Sequence, residues 1–242
     1  EQKYHFEVLF AVLKRLQRPY ADKLYHLAYG MVDLPSGKMK SREGTVVDAD
    51  GLLEEMLEIA AKQTNTLGKT DNFTAAALEG LYHTLAIGAL KFFLVKVSPQ
   101  KRMLFDPAQS IDFQGNTGPF IQYTHARMAT LLGRAAEAQL LVPTAFAFDT
   151  TEALHPAERA LVVHMVSLAE VLHQAAADLN PAIVAQYFYT LAKLYNQFYA
   201  ALPILQAATP ALQHKRLYLS YCAFNTLKKI EFMLGIPLPD RM

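Results

Sequence analysis

The sequence predicts a mainly α-helical protein in two parts: a helical bundle over residues 49–242, preceded over residues 1–48 by the closing elements of an α/β domain. Three observations lead there. Apolar residues recur at helical spacing over long stretches. Three of those stretches open on a cap-forming side chain just before a proline, at Thr117-Gly118-Pro119, Asn180-Pro181 and Thr209-Pro210. The first 48 residues instead run from a helix through an extended segment to a polar, glycine-bearing loop.

Phe6, Leu9, Phe10, Leu13 and Leu16 recur at spacings of three and four, which predicts an amphipathic helix from Tyr4 to Leu16 that ends before Pro19. Leu24 to Val32 reads as a strand, and Leu34 to Gly44 as a loop punctuated by proline and glycine. Asp50 can cap a helix through Leu53, Leu57 and Ala61, and after a polar break from Gln63 to Asn72 a long helix follows from Phe73 to Lys96. Pro99 to Gln114 is irregular, with short extended pieces at Met103 to Phe105 and Ile111 to Phe113. The Thr117 cap opens a helix to Gln139. Pro156 to Asp178 reads as one helix with Leu161, Val162, Met165, Leu168, Ala169 and Leu172 on one face. The Asn180 cap opens a helix to Ala201, and the Thr209 cap opens one that stops at Gly235, two residues before Pro237.

A chain of 242 residues with 52% hydrophobic and 19% charged residues can bury a substantial core, so disorder is excluded. One cysteine, Cys222, cannot make an intrachain disulfide or a Cys-only metal site; it reads as a small buried residue, and a reducing cytoplasm is the expected compartment. The apolar stretch from Ala75 to Val97 is broken by Glu79, His83 and Lys91, so no membrane span and no membrane partner are expected. No metal site is expected either: His83, His125, His164 and His173 fall within predicted helices without the paired spacing of a ligand set. Glu54, Glu55 and Glu58 read as the exposed face of a helix. The net charge of +1 neither supports nor excludes RNA. A chain that starts in mid-pattern, without an initiator methionine, is expected to be a piece of a longer protein.

Two constellations carry chemistry. Gly37 to Thr45 gathers Lys38, Lys40 and Arg42 with Ser41 and Thr45 between flanking glycines, donors suited to a phosphate whose charge is being redistributed; the competing reading is a solvated turn. Further on, a helix beginning at Pro119 places Phe120, Tyr123 and Arg127 on one face near its N-terminus. Two flat rings and a guanidinium in a row suit unstacked RNA bases and their phosphates, while the plain alternative is a row of core aromatics. Lys215, Arg216, Lys228, Lys229 and Arg241 form a basic end that can contact phosphates or simply face water, offset by the acidic stretch from Glu137 to Asp178.

Lys38-Met39-Lys40-Ser41-Arg42 resembles the KMSKS-type signature loop of class I aminoacyl-tRNA synthetases, in the form found among arginyl-tRNA synthetases. Gly115-Asn116-Thr117-Gly118-Pro119-Phe120-Ile121-Gln122-Tyr123-Thr124-His125-Ala126-Arg127 is similar to the same family's pattern in its anticodon-binding domain, as are Ile87 to Val97 and Leu234 to Met242. The resemblance implies a remnant of a Rossmann-like catalytic domain over 1–48 and a DALR-type anticodon-binding domain over 49–242. It implies ATP-dependent attachment of arginine to tRNA(Arg) through an arginyl-adenylate, with Mg-ATP as substrate complex, no tightly bound cofactor and no DNA partner.

Lys38, Lys40 and Arg42, with Ser41 as a hydrogen-bond donor, are then the expected catalytic residues. Gln2, His5, Gly30, Met31 and Val32 are expected around ATP, and Phe120, Tyr123, Arg127 and Met242, with Asn116 in the adjusting loop, around the anticodon. Ser41 stands where the second signature lysine is usual. The family's earlier H-I-G-H-type motif has no counterpart, since H-x-G-H occurs nowhere here, so the fragment is expected to be inactive alone. A stand-alone RNA-binding module without catalysis is the alternative. A purely helical interaction domain, the third reading, would bury Phe120, Tyr123 and Arg127.

Overall fold

The structure, a computed structural model, describes residues 2–35, 48–66, 73–140 and 153–242. The apolar spacing of the first segment closes into α1 (Lys3–Arg15), none of whose residues is buried. The Phe6 ring stacks on His26 with centroids 4.0 Å apart, which ties α1 to the extended segment that follows. The expected strand from Leu24 to Val32 is cut to β1 (Val32–Asp33), which pairs in parallel with β2 (Met103–Leu104), Val32 opposite Met103. A strand exists only where a neighbour accepts and donates, and residues 99–105 are that neighbour: Gly30 N–H donates to Pro99 O at 2.5 Å, Met103 N–H to Met31 O at 3.0 Å, Phe105 N–H to Asp33 O at 2.7 Å. A side chain at Gly30 would come within 2.2 Å of Lys101 O, so the backbones approach this closely only through glycine. Arg102 donates through Nε and Nη2 to the Asp33 carboxylate beside the ladder. Ile111 to Phe113 is not extended; it follows the short helix α4 (Pro107–Ser110), capped by Asp106, through a turn in which Ile111 is buried.

The bundle is built from α2 (Ala49–Thr66), α3 (Ala75–Val95), α5 (Gly118–Glu137), α6 (Pro156–Val166), α7 (Leu168–Ala177), α8 (Pro181–Ala201) and α9 (Pro210–Leu234). The caps read from the sequence are made: Thr117, Asn180 and Thr209 side chains each accept a first-turn backbone N–H. Gly235 ends α9 in the left-handed conformation, φ +63°. Two apolar clusters result. One joins α5, α8 and α9 through Ile121, Met128, Tyr195, Phe198 and Leu227; the other lies between α2 and α3 through Met56, Ala60, Leu81 and Leu85, with Phe105 and Ile111. By length and composition α3 is apolar enough to cross a membrane, with a mean hydropathy of 1.3, and here it buries Leu81, Leu85, Ala89 and Phe92 in the two clusters.

The expected helix from Pro156 to Asp178 is two helices, α6 and α7, bent by 41° at Ser167. The Ser167 hydroxyl donates to His164 O at 2.9 Å, a local bond that competes with the helical ladder. The bend lets both pieces pack on α8 and turns Ala169 outward, off the apolar face predicted for it.

Candidate functional site

Asp112 opens the approach to α5: its side chain accepts Gln114 N–H at 2.8 Å and its carbonyl accepts the Thr117 hydroxyl, while Gly115 takes φ +82°. Thr117 then caps α5 by accepting Phe120 N–H at 3.3 Å. The helix sits unusually close to α3, because a side chain at Gly118 would stand 2.5 Å from Gly88 O. Ile121, Gln122, His125 and Met128 are buried beneath it, and the neighbouring face carries the half-buried Phe120, Tyr123 and Arg127.

These three side chains line a cleft of about 530 Å³ with Phe73, Phe113, Asn196 and Met242. A second chamber of about 490 Å³ shares Tyr123, Arg127 and Met242 and adds Arg134, Tyr199 and Gln206. The Tyr123, Arg127 and Met242 side chains therefore partition one groove between α5, α8 and the C-terminal tail. Arg127 is held from several sides. Its Nη1 donates to Asn196 Oδ1, and Asn196 Nδ2 in turn donates to Thr124 Oγ1 at 2.7 Å. Its guanidinium lies 4.9 Å from the Tyr123 ring centre and 5.3 Å from that of Tyr199. A delocalised cation between two rings is both a stacking surface and an anion partner. Phe120 packs tilted on Tyr189, centroids 5.4 Å apart, and the Arg241 guanidinium lies 4.6 Å over Phe73. At the rim, Lys96 Nζ donates to Asn116 O at 3.0 Å and sits 4.1 Å over Phe93; burial pulls its pKa below the usual lysine value.

The structure thus brings together Phe120, Tyr123, Arg127 and Met242. Asn116 is exposed, engaged through its backbone, and does not line the cleft. Lys38, Lys40, Ser41 and Arg42 lie outside the described residues. Gln2, just before α1, and His5, on it, are exposed, and the Gly30 amide and Met31 carbonyl are engaged by residues 99 and 103; none of these, nor Val32, lines either chamber.

Lys215 and Arg216 do not offer themselves to phosphate but are buried against Glu158, at 3.3 and 3.2 Å. Burial opposes ionisation of Glu158, yet the His155 N–H, Arg216 and Lys215 together hold its carboxyl below the usual range. Arg216 Nη1 also donates to Pro203 O at 2.7 Å. Lys228 pairs with Glu231 at 2.9 Å. Cys222, expected to be buried, is only half-buried. Sequence reasoning missed Asn196 and Tyr199. Their signal is a carboxamide and a phenol three residues apart in α8, a helix that holds other carboxamides and tyrosines, and nothing local says that this part of α8 faces α5.

Residues 121–242 match the family described as DALR anticodon binding domain, and residues 1–106 match the catalytic domain of class I tRNA synthetases (R). The chain is 50% identical over its whole length to the arginine–tRNA ligase of Amoebophilus asiaticus, spanning 40% of that protein, and 46% identical to that of Flavobacterium psychrophilum, spanning 39%. Among solved structures, Thermus thermophilus arginyl-tRNA synthetase superposes with a TM-score of 0.81 at 32% identity, over 96% of this chain and 38% of that one. The chain spans about 40% of the length of the curated relatives it matches.

Proposed function

The chain belongs to the arginyl-tRNA synthetase family through its DALR anticodon binding domain, and from that premise we propose that residues 49–242 hold the opened anticodon loop of tRNA(Arg), while residues 1–48 contribute to the catalytic site for ligation. The observation that carries this reading is the convergence of Phe120, Tyr123, Arg127 and Met242 on one groove between α5, α8 and the tail. Unstacked bases need flat apolar surfaces, and the rings of Phe120, Tyr123 and Tyr199 supply them; Arg127, fixed by Asn196, supplies a cation and planar donors where base edges and phosphates pass. The half-exposure of these side chains also favours a ligand over the purely structural reading. Arginine codons share a central G, so a pocket that takes the central C of the anticodon selects this tRNA set. Asn116 would join from the rim by a movement of the Gly115 to Pro119 loop.

On the catalytic side, Lys38, Lys40 and Arg42 stabilise the departing pyrophosphate as arginine attacks ATP, with Ser41 donating a hydrogen bond; Gln2, His5 and the backbone of Gly30 to Val32 face the nucleotide. Mg-ATP and arginine are substrates in this scheme, and the cytoplasm is where the reaction occurs. The division at residue 48 rests on the packing of α2 on α3 and α3 on α5; the catalytic-domain match runs past it to residue 106, and β2 reaches back across it to pair with β1. These 242 residues contain no H-x-G-H, so they are expected not to catalyse arginine-dependent ATP–pyrophosphate exchange, and exchange by this chain would overturn that assignment.

Titration of a tRNA(Arg) transcript tests the RNA reading. Binding should fall steeply with salt, and Tyr123→Ala and Arg127→Ala should each weaken it by about 1–3 kcal/mol. Unchanged affinity in both variants overturns the anticodon assignment.

A further inference from the structure

Met242 reaches the groove at the end of a tail that has no secondary structure of its own, so something else must hold it. Residues 235–239 are tied down at nearly every step. Gly235 O accepts Lys91 Nζ at 2.7 Å, Pro237 O accepts Gln122 Nε2 at 2.8 Å, and Leu238 N–H donates to Glu231 Oε1 at 2.8 Å. Pro239 O meets His125 Nδ1 at 2.9 Å, and Ile236 and Leu238 are buried between these ties. A proline has no N–H, so the tail is fixed at 237 and 239 through its carbonyls, and both carbonyls are read by α5.

The two α5 side chains are built for this task. Gln122 and His125 are fully buried and stand three residues apart on one face. Gln122 Nε2 also donates to Thr84 O at 2.8 Å, bridging α3 to the tail, and it can pass because position 88 is glycine: a side chain there would lie 2.1 Å from Nε2. The His125 ring stacks on Phe224 of α9 at 4.6 Å, and because Nδ1 faces a carbonyl it is the nitrogen that carries the proton. Tyr123 and Arg127 project from the next face of the same helix. One rigid element therefore sets both the RNA-facing rings and the tail that closes the groove.

We propose that Gln122 and His125 form a clamp on the C-terminal tail that stations Met242 in the groove, which makes them positioning residues for RNA recognition. They act through the tail and touch no ligand. The proposal rests on the anticodon reading above for its RNA half and on the tail contacts alone for its structural half.

The experiment uses the 242-residue chain and two readouts: hydrogen exchange of residues 236–242, and affinity for a tRNA(Arg) transcript. Gln122→Met and His125→Leu remove the donors at nearly constant volume and should each speed exchange in the tail about tenfold while amides in α8 keep their protection. Both should weaken transcript binding as much as deletion of Met242 does, with no further loss when combined with that deletion. His125→Asn, whose amide nitrogen falls near the position of Nδ1, should restore slow tail exchange and binding. If either apolar variant loses α8 protection as well, the exposed Lys91→Met tests the same tail from outside the core, with faster tail exchange expected. Unchanged tail exchange in the folded variants overturns the clamp. Tail exchange that responds while deletion of Met242 leaves binding intact overturns the RNA role of the tail and leaves the clamp standing.

Discussion

A guanidinium set beside two phenol rings and steadied by a carboxamide presents a fixed planar cation to the groove. Arg127 is fixed by Asn196, which is itself fixed by Thr124, so its orientation depends on a chain of side chains that no ligand needs to touch. Asn196→Ala should leave the fold intact and weaken tRNA binding by about 1–2 kcal/mol, measured by the same titration; full affinity would mean that Arg127 is oriented by the rings alone. The second cluster of charge behaves differently. Glu158 is buried with two cations and a backbone N–H, so Glu158→Gln removes the carboxylate charge that faces Lys215 and Arg216 in the interior and should cost about 3–5 kcal/mol in urea unfolding. The spacing of Phe120, Tyr123 and Arg127 is visible in the sequence because i, i+3 and i+7 follow from the helix itself. The pairing of Glu158 with residues 215 and 216 is not, because it joins positions more than fifty residues apart.

At the scale of elements, the crossing of α3 and α5 is set by two glycines. Gly118→Ala drives a side chain to 2.5 Å from the Gly88 backbone, and neither helix can yield without moving the other. A loss of about 1–3 kcal/mol is expected, read as a lower melting temperature. Gly133→Ala, on the exposed face of the same helix with open space around it, should instead stabilise by about 0.5–1 kcal/mol. The pair separates a packing requirement from helix propensity. Caps and stops at Thr117, Asn180, Thr209 and Gly235 were legible because each is made within a few residues of itself. The bend at Ser167 and the shortening of the expected strand before Val32 were not, since the first adds to the local Ser167 bond a hydroxyl from α8, Tyr187, on the same His164 carbonyl, and the second depends on which backbone lies alongside.

For the molecule as a whole, the buried titratable groups make acid unfavourable. Burial lowers the pKa of His125 and of His164 below the ordinary 6.5, so the unfolded chain takes up protons near that pH while the folded chain does not. Glu158, held below its ordinary 4.5, acts in the same direction at lower pH. Stability is therefore fully present above pH 6.5, declines as the pH falls through the histidine range and declines again below 4.5 as the unfolded carboxyl protonates. Urea unfolding at pH 7.5, 5.5 and 4 should give steadily lower midpoints, with the first step reduced in His164→Gln; a midpoint that rises on acidification would contradict the sign.

Local physics decided much of this protein in advance. Helical periodicity, capping side chains before proline and the αL stop at Gly235 depend on neighbours along the chain, so the mainly helical architecture and the shared face of Phe120, Tyr123 and Arg127 follow from the sequence by itself. Only the tertiary structure decided which elements meet that face. It brought Asn196 and Tyr199 from α8, carried Met242 in on a tail held by Gln122 and His125, and turned Lys215 and Arg216 inward to Glu158. Those contacts join residues far apart in sequence, and their existence depends on the packing of whole helices, for which no local pattern carries a signal.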